Sequence, residues 1–224
     1  MKKIIYFLQL CIVLFLCTNC INDNQSTLSQ KTFTCKSGYG IDISGHNTVT
    51  DWDEVTADFI IIKATEGSTY TSPKFEKCRF EAQRRGIPVG AYHFMTTSSS
   101  ATKQFHHFYK VVGKNIDIIP VLDVENITKG HPKNKNEMYK HVATFVKLCY
   151  QHYGVKPIIY SSSWFYTNYK LNNLGCMFWA GDVNTKVTIP HVIHQQTIKA
   201  VPGLAGKVDY DVLNCNIDTI LYQK

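Results

Sequence analysis

The sequence predicts an α/β barrel whose last third lacks its outer helices. Three observations predict it. Short apolar, β-branched runs alternate with helix-period segments from Tyr39 to about Tyr169, the pattern of parallel strands buried on both faces and wrapped by helices. Further strand-like runs then follow with no helical period between them. Polar residues, acids above all, recur where the apolar runs end, and in a barrel the strand carboxyl ends converge on the face that carries active sites.

Taken in order, Tyr39–Ser44 (YGIDIS) is the first strand, with Gly40, Asp42 and Ser44 sharing one face by the two-residue period. Trp52 follows in a loop. Phe59–Lys63, within DFIIIKATEG, is a second buried strand that delivers Lys63 and then Glu66 to its exit. A helix fills Pro73–Arg85, because Pro73 is tolerated at a helix start and Gly86 stops it. Ile87–Phe94 (IPVGAYHF) is the third strand, with Tyr92 and His93 near its end. Ser98–Ser100 cap a helix containing Ala101–Val112, which Gly113 terminates.

The fourth strand, Ile118–Val124, opens the stretch IIPVLDVEN around which the rest is organised. Residues two apart on a strand point the same way, so Asp123 and Glu125 project together, about 7 Å apart along the chain. Crowding should push their pKa values apart, which suits one for proton donation and leaves the other ionised. After the polar loop Thr128–Asn136, an amphipathic segment Glu137–Tyr153 closes at Gly154. Pro157–Tyr160 is the fifth strand, and Ser161–Tyr169 is helical. Met177–Ala180, Val192–Gln196 and Lys207–Tyr210 are the bare strands. Asp42, Lys63, Tyr92, Asp123, Glu125, Tyr160, Trp179, Gln195 and Asp209 all fall at or near strand carboxyl ends. Each alone reads as satisfied polarity, and Tyr160 and Trp179 read as core. Four carboxylates converging from three strands read as a polar functional cleft.

At 224 residues and 44% hydrophobic content the chain can fill one barrel-sized core. The formal net charge of +7 falls to +5 once Lys2 and Lys3 are removed. No Lys/Arg block marks a nucleic-acid partner, while a mild positive excess suits an anionic polymer such as a cell wall. Lys2 and Lys3 precede an apolar run from Ile4 to Leu16 that is too short to span a membrane comfortably and reads as a signal peptide over residues 1–19. It ends LCTNC, which resembles a loose bacterial lipoprotein signal with lipidation at Cys20, although Asn19 is not the usual small residue and ordinary cleavage stays open. Residues 20–36 then form a polar tether and 37–224 the barrel. The chain is therefore expected to be exported, membrane-anchored in the cell envelope or otherwise secreted. Beyond that segment stand Cys35, Cys78, Cys149, Cys176 and Cys215, an odd set with no CxxC spacing and no Cys/His cluster for zinc. Buried thiols, or a disulfide or two, account for them.

The succession GIDIS, DFIIIKATEG, GIPVGAYHF, PVLDVEN, PIIYSSSWF, FWAGD and KVDYDVLN resembles glycoside hydrolase family 25, the Chalaropsis-type lysozymes. The resemblance runs in order from Tyr39 to about Asn214. It implies a (β/α)5(β)3 barrel that cleaves the β-1,4 bond between N-acetylmuramic acid and N-acetylglucosamine in peptidoglycan, with no metal or cofactor; the chain is expected to be a monomer. By motif, Glu125 resembles the proton donor and Asp123 its carboxylate partner. Asp42 and Asp209 match the other cleft acids. Tyr92, Tyr160 and Trp179 match aromatic or polar cleft positions, with Lys63, Glu66 and Gln195 as further substrate-binding candidates. Whether the reaction runs through a covalent intermediate, acetamido participation or direct water attack depends on carboxylate separations. One departure stands out: members often carry WQYT at the seventh strand, where this chain has HQQT, His194–Thr197. Losing Trp and Tyr there is expected to weaken a sugar subsite, while His194 reads equally as a hydrogen-bonded core residue.

The alternative is a catalytically inactive barrel that binds cell-wall glycan; retention of both Asp123 and Glu125 argues against it. A chitinase of the other DxE barrel class needs acids two and five residues before Asp123, where Val121 and Ile118 stand.

Overall fold

The computed structural model describes residues 38–125 and 134–223. Its strands are β1 (Tyr39–Ile43), β2 (Phe59–Glu66), β3 (Tyr70–Thr71), β4 (Val89–Phe94), β5 (Val121–Asp123), β6 (Ile158–Ser161), β7 (Phe178–Ala180), β8 (Ile193–Lys199) and β9 (Val208–Leu213). Eight of them close into a barrel in the order β1, β2, β4, β5, β6, β7, β8, β9 and back to β1, with β3 an antiparallel hairpin arm on β2. Seven barrel strands run parallel, whereas β9 pairs antiparallel with both β8 and β1.

Helices α1 (Phe75–Gln83), α2 (Ala101–Val112), α3 (Lys135–Tyr153) and α4 (Ser163–Asn168) follow β3, β4, β5 and β6. An irregular loop joins β1 to β2, and no α-helix follows β7, β8 or β9. The caps are local chemistry. Ser100 Oγ accepts from Lys103 N at the start of α2, and Ser162 Oγ accepts from Phe165 N at the start of α4. Asn134 and Glu137 satisfy one another's backbone in a capping box, which starts α3 two residues earlier than the apolar pattern alone suggests.

Outward-facing strand residues such as Ile60, Ile62, Ala91, Leu122 and Ile159 are buried against this helical layer. Among them His93 is a buried polar exception, held by Thr65 Oγ1 at 2.7 Å and Gln104 Oε1 at 3.1 Å and stacked on Phe145. Burial pushes its imidazole down to about 3, so it is neutral. On the inner face the Phe59 ring crosses β1 at Gly40, where a Cβ would lie 2.3 Å from it. That approach is what excludes a side chain at Gly40.

Two expectations about strands need correction. The strand expected over Ile118–Val124 is regular only from Val121 to Asp123. Pro120 has no N–H for a ladder, and the chain before it turns to the C-terminal segment, where Ile119 N donates to Ile220 O at 2.9 Å and Ile118 bridges Leu221. The last strand runs opposite to its neighbours and extends to Leu213. Cys78, Cys149 and Cys176 carry unbridged thiols. The expected signal, the tether and Cys20 lie outside the described residues.

Candidate active site

The parity of each strand decides what reaches the barrel mouth. Register pairs Asp42 with Ile61 and with Asp209, Lys63 with Tyr92, Tyr92 with Val121, Asp123 with Tyr160, and Tyr160 with Trp179. Cross-strand partners share a face, so these side chains ring one interior. A cleft of about 220 Å3 is lined by Asp42, Lys63, Tyr92, Asp123, Glu125, Tyr160, Trp179, Gln195 and Asp209. Ser44, His46, Phe94 and Val121 complete the lining.

Asp209 reaches this face by a route the sequence reading did not foresee. It stands near the amino end of an antiparallel strand, which lies at the same barrel mouth as the carboxyl ends of the parallel ones. It sits directly across from Asp42 in register. Glu66 is the one candidate that the structure does not bring onto the cleft wall. Its carboxylate instead holds Lys63 Nζ at 2.7 Å, and the ammonium lies 4.7 Å from the centre of the Phe94 ring. Phe94 was missed although the two-residue period from Tyr92 points to it. His46 lies in the irregular loop after β1, where no period applies.

The two carboxyls of β5 and its exit occupy different depths. Asp123 is 7% exposed, and its Oδ1 has no hydrogen-bond partner among the described residues. Burial pushes its carboxyl well above the usual range; the Glu125 and Asp42 charges add to the rise and Lys63 opposes it. Glu125 faces solvent at the cleft mouth. Loss of water against the cleft wall raises its carboxyl too, with Lys63 opposing and Asp209 adding. Both acids thus hold protons harder than free carboxyls, the deeper Asp123 the more strongly.

Beside the β5 acids a chain of hydrogen bonds links three strands across the interior. Tyr160 Oη donates to Gln195 Oε1 at 2.6 Å, and Gln195 Nε2 donates to Asp42 Oδ2 at 3.3 Å. Asp42 is raised by burial and by the facing Asp209, with the Gln195 amide opposing. Burial raises Asp209 as well. Tyr92 and Tyr160, buried among these acids, keep their phenol protons. The Tyr160 and Trp179 rings meet edge-to-face at 4.9 Å and form the floor.

The HQQT departure lies elsewhere. Gln195 points into the cleft, so its neighbours His194 and Gln196 do not; both line an outer groove with Lys186 and His191. His194 Nε2 is 3.1 Å from the Asp182 carbonyl oxygen. The expected loss of an aromatic sugar contact is therefore corrected: the two positions face away from the cleft.

Similarity to known proteins agrees with this geometry. The E. coli K12 protein YegX is 35% identical over 137 residues, covering 57% of this chain and 49% of YegX. The autolytic lysozyme of Clostridium acetobutylicum is 28% identical over 185 residues, covering 77% of this chain and 54% of that protein. The chain thus spans about half the length of these curated relatives. The crystal structure of a bacterial lysozyme from Streptomyces coelicolor superposes with a TM-score of 0.75 at 25% identity, covering 82% of this chain and 94% of that one. The model of glycosyl hydrolases family 25 matches residues 41–196, which include the β1, β5, β6, β7 and β8 contributions to the cleft. With that match spanning most of the chain and the acids gathered at the mouth of a closed barrel, the protein belongs to glycosyl hydrolase family 25.

Proposed function

We propose that the protein is a lysozyme that hydrolyses the β-1,4 bond between N-acetylmuramic acid and N-acetylglucosamine in peptidoglycan. One observation carries the reading: two carboxyls leave one strand end on the same face, one at the cleft mouth and one buried behind it, both with raised pKa. A glycosidic oxygen needs a proton as its bond breaks, and the sugar carbon left behind develops positive charge. Glu125, exposed and holding its proton more tightly than a free carboxyl, is suited to give that proton up. Asp123 faces the same space from below, where a carboxyl can stabilise the developing cation or orient a substituent of the ring. Asp42 and Asp209 add negative potential from the far wall, and Tyr92, Tyr160 and Trp179 offer flat or hydroxyl-bearing surfaces to sugar. Relatives described as an autolytic lysozyme and an N,O-diacetylmuramidase support the substrate class.

The test is mass spectrometry of fragments released from defined peptidoglycan by the purified protein. Fragments with N-acetylmuramic acid at the reducing end are expected. Reducing-end N-acetylglucosamine would move the cut to the other bond. Glycan binding without release would identify an inactive wall-binding barrel.

Export with acylation of Cys20 belongs to the same proposal, on the strength of the apolar run that ends at Leu16 and Cys20. The several acyl chains of a bacterial lipoprotein would hold the enzyme at a membrane, where one chain binds only marginally. Cys20→Ser should move it from the membrane fraction to the soluble one; a wild type already soluble, with a mature N-terminus other than residue 20, would refute the anchor.

A further inference from the structure

The acid that the mechanism leaves unused is Asp211. It lies on β9 two residues beyond Asp209, opposite Gly40 on β1 and opposite Gln195 on β8. It therefore faces the barrel interior one layer below the Asp42–Asp209 pair. It is fully buried, at 0% exposure, and neither carboxyl oxygen accepts a well-formed hydrogen bond from any donor among the described residues. The Trp179 indole N–H, equally buried, also lacks a well-formed partner.

An ionised carboxylate cannot persist there. It would be buried, short of donors and close to two further acids, each of which disfavours charge. A neutral carboxylic acid removes the conflict, because it carries one O–H donor as well as an acceptor oxygen. The acceptor nearest to hand for its proton is the Asp42 carboxylate, which shares the inward face of β1 with Gly40, the residue directly across from Asp211. Its other oxygen is then left for the Trp179 N–H, which lies on that side and favours negative charge on Asp211. One shared proton resolves the orphaned atoms.

We propose that Asp211 is a positioning residue: a neutral acid beneath the cleft floor that donates its proton to Asp42 and so fixes the Asp42 carboxylate. Asp42 in turn receives Gln195 Nε2, and Gln195 receives the Tyr160 hydroxyl. A single buried proton thus sets the donor pattern of the chain that runs from Asp42 to Tyr160, the register neighbour of Asp123. The groups facing Asp211 are Asp42 from β1, Gln195 from β8, Trp179 from β7 and Asp209 from its own strand. No cation is among them to stabilise a second negative charge, so loss of this proton would set two carboxylates against each other and turn Asp42 away from Gln195.

The catalytic part of the inference rests on the lysozyme reading, and the test separates the two. Asp211→Asn keeps the shape and offers an amide N–H to Asp42, whereas Asp211→Leu keeps volume and offers none. With peptidoglycan, Asp211→Asn should retain kcat within about threefold. Asp211→Leu should lose roughly tenfold or more in kcat with little change in KM, the rate equivalent of one lost hydrogen bond to a charged group. Wild-type kcat in Asp211→Leu, or equal losses in both variants, would each overturn it. Infrared difference spectra need no substrate: at pH 7 the wild type should show a protonated-carboxyl stretch that Asp211→Asn lacks. Identical spectra would overturn the shared proton even if the enzyme proves inactive or the leucine variant does not fold.

Discussion

Glu125 and Asp123 leave the same strand two residues apart, yet one meets solvent and the other is 7% exposed. That difference in depth underlies the roles proposed for them. Glu125→Gln preserves shape but has no proton to donate, so turnover of peptidoglycan should fall by about 10²–10⁴-fold, with thermal stability and glycan affinity changing far less. Fragment release by the folded variant at close to the wild-type rate would shift the donor role to another cleft acid. The residue scale also marks where the sequence was readable. Asp42, Asp123, Glu125, Tyr160 and Trp179 were found because each ends an apolar run, and run ends are visible in a string. Glu66 ends such a run too, but its carboxylate turned to Lys63, a choice between two neighbours that spacing does not encode. Asp211 was legible in principle, since the period that places Asp209 inward places Asp211 inward as well.

At the scale of the element, direction was the hidden variable. A strand's alternation is the same read either way, so β9 could be located but not oriented. Its antiparallel course, sealed by pairing to β1 and β8, is what puts Asp209 at the mouth from its amino end. The early start of α3 came from a capping box outside the apolar pattern, and the shortened β5 from Pro120. By contrast the helix-free final third was legible, because absence of a 3.6-residue period over two successive gaps is itself a signal. Two element-level outcomes follow. Gly40→Ala should destabilise the β1–β2 seam by about 1–3 kcal/mol in denaturant melts, because the new methyl meets the Phe59 ring; Phe59→Leu in the same chain should recover much of that loss. On β8, His194→Trp with Gln196→Tyr should leave affinity for glycan fragments unchanged within about twofold, well short of the roughly fivefold that a regained stacking contact would bring. Tightening in a titration against soluble fragments would mean that the outer groove meets substrate.

At the scale of the whole molecule, the acids that form the cleft tax the fold that carries them. Asp42, Asp123, Glu125, Asp209 and Asp211 all hold protons more tightly when folded, each chiefly through burial. The native state therefore binds more protons than the unfolded chain from the free carboxyl range near 4 up to the raised native values, and stability declines as pH rises through that window. His93 acts in the opposite sense, costing stability as pH falls from its ordinary 6.5 towards about 3. Glu81, held low at the surface by Arg84 and Arg85, shares that sense but is solvent-screened. Five carboxyls outweigh one imidazole, so the melting temperature should be higher at pH 5 than at pH 8. A flat or rising profile over that range would mean the cleft acids do not hold their protons more tightly in the folded protein.

The seam between β1 and β9 has one more consequence, which concerns synthesis. Asp42 is made early and Asp209 late, and the barrel closes only when they lie side by side. Chains grow from the N-terminus at about 5–20 residues per second and fold as segments become available. A nascent chain that has not yet reached residue 209 has β5 and its two acids but no closed wall opposite them. The ring of cleft acids is thus incomplete until residue 209 has been made, and the late strand finishes a site that the early strands begin.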